Sequence, residues 1–291
     1  MTKSFVTRFA PSPSGYLHLG HAYSGLLAFR AAEKNQGRFL LRIEDIDKTR
    51  CKLEFEEAIY EDLGWLGLDW EHPVRRQSNY FDDYLAAINV LQEKELLYPC
   101  FCTRKNIGKE IRNSAHAPHG PDGPLYPGTC RVLDPDIQTE KIEKGLPFAL
   151  RLDVGKALSM IKIPLTFKEN EIEIAADLAS LGDIVVARKD VMTSYHLSVV
   201  VDDHLQGITH VIRGQDLFHA THIHRLLQEL LRIQPPQYHH HGLLVGADGR
   251  RFAKRDRSMT IKVLREGGKT LSDLFALIKA HGGNLEAELP F

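Results

Sequence analysis

Apolar and polar positions along the first hundred residues follow two alternating periods. "SFVTRFA" (4–10) and "RFLLRIEDID" (38–47) are short apolar-rich runs and predict strands. "LGHAYSGLLAFRAAEKNQ" (19–36), "LEFEEAIYEDLGWLG" (53–67) and "FDDYLAAINVLQEKEL" (81–96) repeat their apolar residues at three and four, which predicts helices. This order predicts a parallel sheet with crossover helices, an α/β fold of Rossmann type.

Residues 98–185 break the rhythm. They hold the Gly- and Pro-dense loop "HAPHGPDGPLYPG" (116–128) and β-leaning segments such as "LPFALRLD" and "DIVVARKD". An inserted α+β subdomain is expected there. The alternation resumes with a helix at "YHLSVVVDDHL" (195–205), a strand at "GITHVIRG" (207–214) and a helix at "FHATHIHRLLQELLR" (218–232). "QYHHHGLLVGADGRRFAK" (237–254) predicts a strand pair turning at "GADG". "SMTIKVLREGG" and "TLSDLFALIKAHG" predict two short terminal helices. The expected organisation is a sheet domain split between 1–97 and 186–237, an insertion at 98–185, and a basic loop with a helical stub at 238–291.

With 43% hydrophobic and 26% charged residues, the 291-residue chain can bury a large core without disulfides. The net charge of −1 means that any polyanion must be held by local patches. No run of about 18 apolar residues predicts a membrane helix. The N-terminus lacks the apolar core of a signal peptide, so a cytoplasmic location is expected. In a reducing cytoplasm, clustered cysteines suit a metal better than a disulfide.

"PSPSGYLHLGH" (11–21) lies between a predicted strand and a predicted helix. A helix N-terminus favours an anion. His18 and His21, one turn apart, can donate to phosphate oxygens, and Gly15 and Gly20 leave room for a ligand. Taken alone, the stretch also reads as a turn whose histidines cap a helix. "RRFAKRDRS" (250–258) is locally basic and, taken alone, reads as a solvated charged turn. Arg8 and Arg213 end predicted strands, where open α/β sheets bind ligands, and arginine suits a carboxylate. Glu44 can hold an ammonium, and Tyr195 adds a hydroxyl. Cys100 and Cys102 would face one side of a strand, with Cys130 as a third thiol. His116, His119 and Tyr126 compete as a fourth ligand. Cys51 reads as a small buried residue. His239–His241 would alternate faces on a strand and so would not converge on a metal.

"RFAPSPSGYLHLGH" resembles the first signature of class I aminoacyl-tRNA synthetases. "RFAPSP", "LRIEDID" and "YHLSVVVDDHLQGITHVIRGQDL" are similar to the glutamate branch, with Ala10 and Ser12 where the glutamine branch has Pro and Glu. "RRFAKRDRS" resembles the second, lysine-bearing signature, with Arg251 and Ala253 departing from its usual wording. The likeness runs from about residue 5 to about 265. It implies His18, Gly20, His21 and Lys254 as catalytic, with His18, His21 and Lys254 on ATP and Mg²⁺. It implies Arg8, Phe9, Ala10, Pro11, Ser12, Glu44, Tyr195 and Arg213 around L-glutamate. The family's Cys-x-Cys and Tyr-x-x-x-Cys spacing implies Cys100, Cys102, Tyr126 and Cys130 as structural zinc ligands, with His119 the alternative.

Few residues follow the lysine loop. By resemblance this points to the short branch of the family that forms glutamyl-adenylate without tRNA. That branch then transfers glutamate to queuosine in the anticodon arm of tRNA(Asp). The alternatives are a compact synthetase charging the tRNA 3′ end and a non-catalytic RNA-binding paralogue. A monomer is expected.

Overall fold

The structure is a computed structural model that describes residues 4–103, 105–107, 119–120, 123–246 and 260–286. It opens with β1 (Val6–Phe9), α1 (Leu19–Lys34), β2 (Arg38–Ile43), α2 (Leu53–Trp65), β3 (Glu71–Arg76) and α3 (Phe81–Glu93). β1, β2 and β3 pair in that order, all parallel. β1 is buried throughout and β2 nearly so. That explains their near-continuous apolar sequence, since parallel strands are covered on both faces. β3 was not foreseen. Its sequence, "EHPVRR", carries a proline and four charged or titratable residues, which only an edge strand tolerates.

The middle of the chain supplies β4 (Leu97–Cys100), β5 (His119–Gly120), β6 (Gly123–Pro124), α4 (Pro135–Glu143), β7 (Ala149–Leu152), α5 (Val154–Met160), β8 (Thr166–Glu169), β9 (Ile172–Ala175) and β10 (Ile184–Ala187). β10, β7 and β4 form an antiparallel sheet. Its Leu152, Ile184 and Val186 share one core with Tyr84, Ile88 and Leu91 of α3. Then follow α6 (Tyr195–Leu205), β11 (His210–Gly214), α7 (Phe218–Leu230), β12 (Gln237–His241), α8 (Ile261–Glu266) and α9 (Leu271–Ala280). The hairpin β8–β9 joins β12, giving the order β11-β12-β8-β9.

The first arm of the expected strand pair is β12, and residues 250–254 of the second lie outside the described residues. β12 runs parallel to β11, because α7 carries the chain back across the sheet before it. Residues 247–249 of the expected turn lie outside the described residues. Among the described residues, no helix is long and apolar enough to cross a membrane.

The two parallel groups meet at β1 and β11. Thr209 N–H donates to Val6 O at 2.9 Å, and Val6 N–H donates to Thr209 Oγ1 at 2.8 Å. The crossover after β1 leads to β2 on one side, and that after β11 leads to β12 on the other. This reversal opens a crevice at the carboxyl ends of both strands.

A buried ion cluster locks the crevice floor. Arg42 of β2 is fully buried. It reaches Asp203 at 2.8 Å, Glu44 at 3.3 Å and Asp202 at 3.8 Å. Arg8 of β1 also holds Asp203, at 3.0 Å, and Arg75 of β3 holds Asp202 at 2.7 Å. Desolvation pushes the Asp203 carboxyl up, but Arg8 and Arg42 outweigh it and hold it below its usual value. Such a group stabilises the fold above its unfolded value, about pH 4, and that contribution is lost as pH falls through the lower folded value. Asp203→Asn is therefore expected to cost about 3–5 kcal/mol at pH 7. In urea titrations the gap from the parent protein should narrow below about pH 4.

Candidate active site

The crevice is a cavity of about 590 Å³, within the size range of small-molecule sites. Arg8, Phe9, Ala10, Pro11 and Ser12 line it from β1 and the loop after it. Glu44 enters from the end of β2, Tyr195 from the first turn of α6, and Arg213 from β11. His18, Gly20 and His21 line the same cavity from the start of α1. Lys254, with Arg251 and Ala253, lies outside the described residues. The chain on either side of that segment does reach the site. Leu243 and Leu244 line the cavity, and Thr260 bridges His18.

The local sequence explains this arrangement. Pro11 and Pro13 keep the loop after β1 out of helix. Its path is tied back by the Glu44 N–H donating to Pro11 O at 3.0 Å and the Lys52 N–H donating to Pro13 O at 3.0 Å. His18 is the N-cap of α1. Its Nδ1 accepts the Gly20 N–H at 3.1 Å, and His21 Nδ1 accepts the His18 N–H at 3.2 Å. The rings stack with centroids 3.7 Å apart. Capping and anion binding are therefore not rival readings. Using both Nδ1 atoms as acceptors leaves each neutral ring with its hydrogen on Nε2, the atom able to donate to a phosphate oxygen. A Cβ at Gly20 would lie 3.1 Å from the His18 ring and would press on it.

The charges of the cavity are unequal. In the ion cluster Arg8, Arg42 and Arg75 face Glu44, Asp202 and Asp203, three cations against three anions. Arg213, nearly buried, has no carboxylate within ion-pair distance among the described residues. Its neighbours are neutral acceptors. Nε donates to His240 Nε2 at 3.0 Å, and Nη2 donates to Thr221 Oγ1 at 2.7 Å and Leu217 O at 3.1 Å. Nη1 lies 3.4 Å from His224 Nδ1. Burial, with Arg213 and His196 beside it, holds His224 well below the ordinary histidine value, so it stays neutral. The inner cavity thus carries one cation in excess, while Asp216 stands exposed at the rim. Four of the five Arg213 N–H groups are engaged within the protein. Arg8 is the more open guanidinium. Among the described residues only its Nε is bonded.

Glu44 has a different balance. Desolvation raises its carboxyl above the usual range, and Arg42 and Arg8 only partly offset it. Burial likewise raises the Tyr195 phenol, so it remains a neutral hydroxyl facing the cavity.

A second cluster lies in the insertion. The sulfurs of Cys100, Cys102 and Cys130 all lie within 4.8 Å of one another. The Tyr126 hydroxyl is 3.4 Å from Cys100 Sγ and 3.6 Å from Cys102 Sγ, and it accepts the Cys130 N–H at 2.9 Å. β4 ends at Cys100, so Cys102 reaches the cluster from the loop beyond and not from the same strand face. His116 lies outside the described residues, and of His119 only the backbone is described. Cys51 departs from its expected burial. It is only partly buried, with Sγ 3.7 Å from Ser12 Oγ.

Sequence reasoning missed Arg42, Asp203 and His240. The first two looked like ordinary strand and helix polar residues. The signal available was the pair Asp202–Asp203 inside an apolar helix, a place where carboxylates persist only if paired.

Comparison with known proteins agrees with this geometry. Residues 4–289 match the class I tRNA synthetase (E and Q) catalytic-domain family. The chain is 44% identical to a glutamyl-Q tRNA(Asp) synthetase of Rhodobacter capsulatus, over 94% of this chain and 99% of that one. It is 41% identical to a glutamate–tRNA ligase of Aquifex aeolicus, over 92% of this chain and 55% of that one. The crystal structure of a glutamate–tRNA synthetase from Elizabethkingia anophelis matches with a TM-score of 0.73 at 27% identity, over 87% of this chain and 53% of that one. The chain thus spans nearly the whole of the first relative and about half of the other two. It belongs to the class I tRNA synthetases of the E and Q group, and is a ligase of that family.

Proposed function

We propose that the protein activates L-glutamate with ATP, without RNA, and transfers the glutamyl group to queuosine in the anticodon arm of tRNA(Asp). The observation that carries the first step is the single excess cation of the cavity. Glutamate is a zwitterion with one further carboxylate, net −1, and glutamine is net zero. Arg8 and Arg213 balance the two carboxylates and Glu44 takes the ammonium. The phosphates of ATP, carried with Mg²⁺, sit against the start of α1, with His18 and His21 as donors and Lys254 as a further cation. The α-carboxylate is already ionised at pH 7, so no general base is needed. Its oxygen attacks the α-phosphorus and pyrophosphate leaves, while the donors stabilise the charge that develops. A queuosine hydroxyl then attacks the acyl carbon and AMP leaves, forming an ester.

The near end-to-end likeness to a glutamyl-Q tRNA(Asp) synthetase supports this acceptor. The deciding experiment incubates labelled glutamate and ATP with tRNA(Glu), and with tRNA(Asp) with and without queuosine. Label is expected only on the queuosine-containing RNA. Label on tRNA(Glu) at its 3′ end favours a compact charging enzyme, and label on neither overturns both.

The thiol cluster fits zinc. A tetrahedral site with zinc–sulfur bonds near 2.3 Å has sulfur–sulfur edges of about 3.8 Å. The Cys102–Cys130 separation is 3.5 Å, with the Tyr126 oxygen at similar distances. Cys100, Cys102, Tyr126 and Cys130 would hold the ion, and four protein ligands make its role structural.

Three outcomes test these roles. Asn is as good an N-cap as any, so His18→Asn should leave the unfolding midpoint unchanged. It should lower kcat for glutamate-dependent ATP–pyrophosphate exchange about 100-fold, because the ring donor is gone. Glu44 binds the ammonium only when ionised, and its carboxyl titrates above the usual range. KM for glutamate should therefore rise as pH falls, starting above about pH 4.3, and Glu44→Gln should raise KM and flatten that rise. For the metal, Tyr126→Phe should lower zinc content by atomic absorption and lower the thermal midpoint, whereas His119→Ala changes neither. The reverse pattern makes His119 the fourth ligand.

A further inference from the structure

Arg213 reaches the cavity from β11, but the residue that fixes its orientation comes from elsewhere. Glu169 ends β8 and is nearly buried. One of its oxygens accepts the His240 backbone N–H at 2.8 Å, and the other lies 2.7 Å from His240 Nδ1. His240 pairs directly with Arg213 across β11 and β12. Its Nε2 receives the Arg213 Nε–H at 3.0 Å and lies 3.2 Å from Thr221 Oγ1. Thr221 Oγ1 in turn accepts from Arg213 Nη2 at 2.7 Å, so its own hydrogen is available to Nε2.

These contacts allow one arrangement of hydrogens. A carboxylate has no hydrogen to give, so His240 Nδ1 must carry one. Arginine is always protonated, so Nε2 must be the bare acceptor. Burial holds His240 below the usual histidine value, against the opposing pull of Glu169. The ring is therefore neutral with its hydrogen on Nδ1.

We propose that Glu169 and His240 are positioning residues for glutamate recognition: Glu169 selects the His240 tautomer, and His240 aims the Arg213 guanidinium into the cavity without neutralising it. The proposal rests on the reading of the cavity as a glutamate site. A carboxylate in direct contact with Arg213 would hold the guanidinium equally well but would cancel the excess charge that an acidic substrate needs. Placing the carboxylate behind an imidazole separates orientation from charge. Lys168 and Glu173 pair with each other within the hairpin, and the rings of His224 and Tyr238 also lie against the guanidinium.

The test is Glu169→Gln. The amide oxygen of glutamine would keep the His240 backbone N–H, leaving its NH₂ toward Nδ1. That arrangement reverses the tautomer and sets an Nε2–H against the Arg213 Nε–H. KM for glutamate in RNA-free pyrophosphate exchange should rise about 10- to 100-fold, the worth of a hydrogen bond to a charged group. KM for ATP and kcat at saturating glutamate should stay as in the parent.

His240→Gln supplies an amide oxygen that accepts without help from Glu169. Adding Glu169→Gln to it should therefore cost less than about twofold further, a non-additivity that marks one coupled unit. A KM for glutamate within about twofold of the parent in Glu169→Gln overturns the proposal, as do fully additive effects of the two changes. So does a loss of kcat and thermal midpoint with KM unchanged. If the parent protein itself shows no glutamate-dependent exchange, the glutamate reading fails, and that result is distinct from these.

Discussion

Arg42 is the constraint on which the rest of the structure depends. A guanidinium at the centre of a parallel sheet, with no exposed surface, survives only if several acceptors meet it there. The chain brings Asp202 and Asp203 to it from α6, about 160 residues away in sequence, and Glu44 from two residues away. Those carboxylates in turn require Arg8 on β1 and Arg75 on β3. One buried network therefore ties three adjacent strands to one helix. The antiparallel sheet of β4, β7 and β10 comes between these residues in sequence, and its core is continuous with the helix that carries the aspartates. Replacing either side of the network alone leaves an unpaired charge in the interior.

The functional geometry follows from that structural demand. Arg8 and Glu44 lie where β1 and β2 end, at the point where strand order reverses. Because each is already held by the network, their positions in the cavity are set before any ligand arrives. Arg213 stands outside the network, among neutral acceptors, and supplies the surplus charge. The start of α1 adds a neutral but polar wall, in which both histidines are fixed by their own backbone contacts. Cations, an anion and two capping histidines are thus arranged around one crevice on rigid elements, and Leu243, Leu244 and Thr260 stand at its edge.

Much of this was legible in the sequence. The start of α1 and the end of β11 fell where the apolar periods placed them, and α6 has the bounds expected of it, whereas β2 stops at Ile43, short of the expected Asp47. Strands covered on both faces and amphipathic helices leave clear patterns. β3 did not, because an edge strand needs no apolar run and this one contains Pro73. The parallel pairing of β12 with β11 was not legible either, because it is set by the intervening helix and not by a local signal. The partners of Arg42 and Arg213 were invisible for a related reason. Asp203, Glu169 and His240 act across sequence separations that no local pattern encodes.

The central claim is that one uncompensated guanidinium makes this cavity select an amino acid with an additional negative charge. L-Glutamine has nearly the shape of L-glutamate and lacks only that charge. The most direct measurement is the ratio of kcat/KM for the two amino acids in ATP–pyrophosphate exchange, with no RNA present. The account predicts a preference for glutamate of about 100-fold or more, in line with the cost of leaving a buried charge unpaired. Equal use of the two amino acids, or a preference for glutamine, would contradict it.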